Sequence, residues 1–134
     1  MKIDGGCHCG ALAYEAEIDP EKVGVCHCTD CQMLTGSPYR VSVPAPSETF
    51  KWLRGAPKFY IKATAESGTK RQHAFCGDCG SPIYAGAMTD TPFYTLRVGG
   101  IRQRSQLAPK RQIWCRSALP WAMDIEDLPK SEKS

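Results

Sequence analysis

The amino-acid sequence predicts a mainly β domain made of small antiparallel sheets, on three observations. Apolar and polar residues alternate over short runs instead of recurring at every third or fourth position. These runs are rich in β-branched and aromatic side chains, which suit a pleated, half-buried surface. Glycine and proline, 12 and 10 of 134 residues, punctuate the chain so often that long helices have little room.

The first run, residues 11–18 (ALAYEAEI), alternates strictly and so presents one apolar and one polar face. A short helical turn is expected to start at Thr29, where a hydroxyl can cap the amides of DCQML, and to stop at Gly36. Strands follow at 39–43, 49–53, 58–63 and 93–98, set off by turn residues such as Pro44, Gly55, Pro57, Gly80 and Pro92. Residues 1–125 are expected to form a single β domain, long enough to bury most of its apolar surface without disulfide staples. The last residues, 126–134 (EDLPKSEKS), read as a flexible C-terminal tail.

The N-terminus MKIDGGCHCG carries no apolar run behind its lysine, and neither a signal peptide nor a membrane span is read in the chain. A cytoplasmic location and no membrane partner are the expectation. The formal charge is +3, and the basic residues are spread in pairs such as Lys70-Arg71 and Lys110-Arg111, not gathered into a stripe. That pattern argues against a nucleic-acid partner. Oligomeric state is not legible.

Eight cysteines are many for a reducing compartment. Read as disulfides they would allow about 105 pairings; their bunched spacing favours metal. They form a C-x-C at Cys7 and Cys9, a C-x-C-x-x-C at Cys26, Cys28 and Cys31, and a C-x-x-C-G at Cys76 and Cys79, with Cys115 alone. In the C-x-x-C-G, a tight turn lets both sulfurs reach one ion, and Gly80 permits the positive φ that turns the chain away. On a straight strand the two α-carbons of a C-x-C lie about 6.6 Å apart, whereas sulfurs on one zinc at ~2.3 Å lie under about 4 Å apart. The backbone must therefore bend, and Gly5, Gly6 and Gly10 give it that freedom. Two pairs make one closed site, so Cys7, Cys9, Cys76 and Cys79 are grouped around a structural zinc. The triplet Cys26, Cys28 and Cys31 leaves a fourth position open, the general pattern of a catalytic zinc.

Other readings stay open. Cys115 could complete the second site, or be a small buried hydrophobe in QIWCRS. His73, in KRQHAFC, reads as a surface or satisfied core histidine, with a catalytic role the lesser alternative, and Trp114 and Trp121 read as core aromatics, one of which could wall a substrate pocket. His27 and Asp30 flank the triplet and could hydrogen-bond its sulfurs or supply a proton.

The order GGCHCGALAYEA, VCHCTDCQMLTGSPY, FCGDCGSPIY and IWCRSALPW resembles the glutathione-dependent formaldehyde-activating enzyme and centromere protein V family, from about Gly5 to Trp121. The resemblance implies a β-tent fold, similar to that of a chaperone of small-GTPase exchange. It also implies a structural zinc on Cys7, Cys9, Cys76 and Cys79 and a labile catalytic zinc on Cys26, Cys28 and Cys31. The associated activity is condensation of formaldehyde with glutathione to S-hydroxymethylglutathione, a carbon-sulfur lyase reaction run in reverse. The family pattern usually has a noncysteine where this chain has Cys115.

The chemistry of the triplet agrees with a thiol ligand. Three thiolates leave zinc a weak Lewis acid, less suited to activating water than to holding a soft fourth ligand as thiolate for attack on a small carbonyl. Glutathione carries two carboxylates, so Arg or Lys should line its groove, Arg40 and Arg97 among the candidates. The expected function is therefore a carbon-sulfur lyase-type enzyme acting on a glutathione or other thiol adduct of a small aldehyde. The alternatives are a noncatalytic zinc-stabilised binding module, which requires two closed sites, and a glutathione carrier.

Overall fold

A computed structural model describes residues 1–134. It is mainly β, with ten strands and one α-helix. Strands β1 (Lys2–Gly6), β2 (Ala13–Glu17) and β5 (Lys51–Arg54) form a three-stranded antiparallel sheet in the order β1-β2-β5. The other sheet has seven strands: β3 (Gly24–Cys26), β4 (Arg40–Pro46), β6 (Lys58–Lys62), β7 (Arg71–Phe75), β8 (Pro82–Ala87), β9 (Phe93–Arg97) and β10 (Arg111–Ile113). Their order is β10-β3-β4-β9-β8-β7-β6, antiparallel throughout except for the β10 and β3 pair, which is parallel. No helix is long and apolar enough to cross a membrane.

The alternation read in ALAYEAEI holds: Tyr14 and Ala16 are buried while Glu15 and Glu17 are exposed. These inward residues meet Val43, Ala45, Ala74, Tyr84 and Leu96 from one face of the large sheet. Phe50, in the connection between β4 and β5, sits at the centre of the contact, with the rings of Tyr14, Trp52, Tyr84 and Tyr94 all 5.0–5.3 Å from its own. Each such pair adds about 0.5–1.5 kcal/mol beyond the burial of its area. The core thus clamps one face of the seven-stranded sheet and leaves the other free.

The helix α1 spans Thr29–Thr35. Its cap differs from the expected one: the Sγ of Cys28, not the Thr29 hydroxyl, accepts from the N–H of Cys31 at 3.3 Å. The chain has left β3 at Cys26 and is still extended at Cys28, so Cys28 occupies the capping position and Thr29 already lies inside the helix. Gly36 ends it as expected, at φ 64°, a left-handed conformation open to glycine.

Several strands carried too little signal to be predicted. β1 is rich in glycine, β3 and β10 have three residues each, and β8 opens on Pro82. All are fixed by pairing with partner strands, β1 with β2, β8 with β7 and β9, and β3 with β4 and the distant β10, which local propensity does not encode.

Candidate metal centre

Four cysteines meet where the turn after β1 touches the β7–β8 connection. The Sγ atoms of Cys7, Cys9, Cys76 and Cys79 lie within 4.8 Å of one another, with Cys7 and Cys9 at 3.6 Å and Cys9 and Cys76 at 3.7 Å. Four sulfurs placed tetrahedrally about one zinc would be about 3.8 Å apart, so the donor set fits a closed site. Neither C-x-C runs along a strand: Cys7 lies just beyond β1 and Cys26 is the last residue of β3. Residues 8–9 form a turn whose N–H of Gly10 donates to the carbonyl of Cys7 at 3.2 Å. The N–H of Leu12 donates to the Cys7 sulfur at 3.1 Å. At the other knuckle Gly80, at φ 79°, donates its N–H to the carbonyl of Cys76 at 2.8 Å. The Ser81 hydroxyl, 3.2 Å from the sulfur of Cys79, is the main reason that thiol is lowered to about 5.

The second group is Cys26, Cys28 and Cys31, also within 4.8 Å of one another. Cys26 ends β3, Cys28 caps α1 and Cys31 lies in its first turn. Protons are shared unequally among them. The hydrogen bond from Cys26 is the largest influence lowering the Cys31 thiol to about 5, and Arg40, whose Nε donates to Cys31 Sγ at 3.4 Å, acts in the same direction. Cys26 is pushed up by that same bond to Cys31 and by burial.

Cys115 takes neither place considered for it. It is exposed, and it stands outside both groups. The chain after β10 runs over the surface, and Trp114 and Trp121 are exposed with it rather than in the core, at 39% and 56%. Trp114 adopts the left-handed conformation at φ 57°, with the Arg116 guanidinium 4.9 Å over its ring. This segment is held to the triplet by Gln32, whose amide donates to the carbonyls of His27 and Ser117.

His27 is buried at 1% against Tyr39, and its Nε2 donates to Gln112 Oε1 at 2.7 Å. Asp30 is engaged by Lys62 at 2.9 Å and by the Thr64 hydroxyl at 2.8 Å. The Lys62 hydrogen bond, then that of Thr64, hold its carboxyl below the usual range. A carboxylate so held is ionised at neutral pH and makes a poor proton donor.

The free face of the seven-stranded sheet lines a cavity of about 250 Å³ into which Cys26 and Cys31 open. The sheet curls around it: Lys62, on the β6 edge, reaches Asp30 on the helix that follows β3. Strand alternation decides the lining. Arg40, Ser42 and Pro44 of β4, Thr95 and Arg97 of β9, Ala85 of β8, and Arg71 and His73 of β7 all point to it. Lys22, Lys62 and Arg111 bring the cations to six, with no aspartate or glutamate in the wall. Arg40 and Arg97 are only 5% and 8% exposed, yet Arg40 Nη2 and Arg97 Nε lack a hydrogen-bond partner. Burial chiefly, and the charge of Arg40 next, lower the Arg97 pKa to about 9, leaving it cationic at neutral pH. Of the basic side chains in this wall, sequence reasoning singled out only Arg40 and Arg97 as carboxylate partners, and His73 was read as a surface or satisfied core histidine. The i, i+2 spacing of Arg71 and His73 was the available signal for the rest, but it needed the strand assignment and the sheet's curl.

The solved structure of a Rhodobacter sphaeroides protein superposes on this fold with a TM-score of 0.62 at 23% identity, covering 81% of this chain and 98% of that one. An uncharacterized lyase of Schizosaccharomyces pombe is 26% identical over 83 residues, 62% of this chain and 56% of the yeast protein. The chain thus spans little more than half the length of that curated relative. The family model described as glutathione-dependent formaldehyde-activating enzyme matches residues 2–117, and with nearly the whole β domain inside that match the chain belongs to this family.

Proposed function

We propose that this protein is a zinc-dependent carbon-sulfur lyase-type enzyme that makes or cleaves the adduct of an anionic thiol, glutathione foremost, with a small aldehyde such as formaldehyde. The observation that carries the reading is the juxtaposition of a three-cysteine group with a cavity whose wall bears six cations and no carboxylate. Membership of the family and the lyase name of the yeast relative support the reaction class.

Cys7, Cys9, Cys76 and Cys79 would hold a structural zinc, and Cys26, Cys28 and Cys31 a second, labile one. Zinc at the triplet would keep an incoming thiol as thiolate at neutral pH. The chain's own residues do the rest. Arg97 and Arg40, with unpartnered N–H groups inside the wall, bind carboxylates of the thiol. Lys62 and Arg71, on adjacent strands, extend the positive surface toward the far end of the cavity. The small side chains of Ser42, Ala85 and Thr95 leave the floor open for the adduct. Catalysis then rests on proximity, with the thiol sulfur held where an aldehyde carbon can meet it.

A binding module with two closed sites is not favoured, because Cys115 stands outside the triplet. The test is the rate of S-hydroxymethyl adduct formation from ¹³C-formaldehyde and glutathione, followed by exchange NMR with zinc-loaded protein. Acceleration over the spontaneous rate that is lost in Cys28→Ser supports the reading. No acceleration with two zincs bound would sink it.

A further inference from the structure

We propose that His73 is a catalytic residue that donates a hydrogen bond from Nε2–H to the aldehyde oxygen while the carbon-sulfur bond forms or breaks. The proposal rests on the functional reading above and assigns the group that stabilises the oxygen. His73 lies at the centre of β7, on the sheet face that lines the cavity shared with Cys26 and Cys31. Its Nδ1 is 3.4 Å from Nη2 of Arg97. A guanidinium only donates, so Nδ1 accepts and the ring proton of the neutral imidazole resides on Nε2. Arg97 is itself fixed by donating Nη1 to Ser42 Oγ at 3.0 Å. The tautomer is therefore set by a buried, oriented partner.

The surroundings keep the ring neutral. Burial first, then the charges of Arg97 on β9, Arg40 on β4, Lys62 on β6 and Arg71 on β7, lower its pKa to about 4. Asp30 of α1 is the nearby carboxylate, and it is already paired with Lys62. A neutral imidazole that donates without giving up its proton suits an oxygen that gains negative charge only during reaction.

In the forward direction the thiolate lone pair attacks the carbonyl carbon and the carbon-sulfur bond forms. The π pair of the C=O bond moves onto oxygen, which accepts the hydrogen bond from Nε2–H and takes its proton from water. The proton that the thiol released to solvent on binding balances this one. Cleavage runs through the same arrangement in reverse, with His73 keeping its proton throughout.

Two variants of the zinc-loaded protein, compared with wild type, test the assignment: His73→Phe, which fills the same place without a donor, and His73→Gln, which keeps one. Loss of one such donor costs about 10²–10³-fold in kcat. The expected result is a fall of about 10²-fold in kcat for His73→Phe with KM changed less than about threefold, and recovery of at least tenfold in His73→Gln. Nitrogen-15 NMR of the wild-type imidazole should report the Nε2–H tautomer at pH 7. A rise in KM alone would make His73 a mere part of the anion-binding wall and overturn the proposal, as would an Nδ1–H tautomer. Full activity in His73→Phe overturns it while leaving the functional reading intact. Absence of turnover in wild type overturns both.

Discussion

The Nε of Arg40 donates to Sγ of Cys31 at 3.4 Å, so a buried guanidinium bonds directly to one sulfur of the three-cysteine group. The contact follows from strand register, since Arg40 is paired across the sheet with Cys26 and its side chain reaches past the end of β3 to the first turn of α1. It gives the triplet a fixed positive neighbour, which with zinc bound would offset the charge of three thiolates. Replacing it with a chain of similar length, Arg40→Met, should weaken zinc binding at the triplet by about 10–100-fold, as loss of an outer-shell partner does. Titration with a competing chelator measures this directly. Unchanged affinity would mean that the contact serves packing alone.

The two cysteine groups should fail differently. Cys76 is 1% exposed and belongs to the hydrophobic core, so Cys76→Ser both removes one sulfur from the proposed closed site and places a hydroxyl among apolar side chains. Binding of a structural zinc is worth about 10–16 kcal/mol in small peptides, as large as the whole stability of a typical domain at about 5–15 kcal/mol. Cys76→Ser should therefore be unfolded or insoluble at 25 °C by circular dichroism. Cys28→Ser takes one sulfur from the triplet at a half-buried position but keeps a hydroxyl that can cap α1, and it should lose turnover while its melting temperature falls by only a few degrees. A folded, fully zinc-loaded Cys76→Ser protein would refute the pairing.

Much of this architecture is written in local pattern, and the rest is not. Alternation exposes β2, and the strands near 39–43, 49–53, 58–63 and 93–98 appear within a few residues of their predicted places. The meeting of Cys7, Cys9, Cys76 and Cys79 is legible because two short-spaced pairs can bring four sulfurs to one place. The cavity is different. Arg71, His73, Arg97 and Arg111 come from three strands, and they converge only because the seven-stranded sheet curls until β6 meets α1. Curl is a property of many strands together and leaves no mark on any one of them. The exposure of Trp114 and Trp121 was missed for a related reason: an aromatic residue signals burial only if another element covers it.

Cys115→Ala gives a direct test of the open site. The residue is exposed and separate from the triplet, so its removal should leave zinc stoichiometry, the mean sulfur coordination seen at the zinc X-ray absorption edge, and turnover within about twofold of wild type. The change should cost less than about 0.5 kcal/mol, as surface substitutions do. Loss of one sulfur from the average would place Cys115 on the metal and close the site. The same spectra recorded with glutathione should show the sulfur count rising in both proteins.

The lowered pKa of His73 has a consequence for stability against pH. The folded ring protonates near pH 4, whereas in the unfolded chain histidine protonates near about 6.5. Between these values the unfolded state binds the extra proton, so the group's contribution is intact above about pH 6.5 and is lost as the pH falls toward 4. The residue is only partly buried, and solvent screening keeps the effect below about 1 kcal/mol. His73→Phe lacks the group but retains every cysteine, so comparing urea midpoints of the two proteins cancels any loss of zinc in acid. Relative to this variant, wild type should lose stability between pH 7.5 and pH 5, with no further relative loss below pH 4. Carbon-bound ring proton shifts that stay constant from pH 8 to pH 5.5 would confirm the neutral imidazole, and a midpoint near pH 6.5 would place His73 in open solvent instead of the cationic cavity.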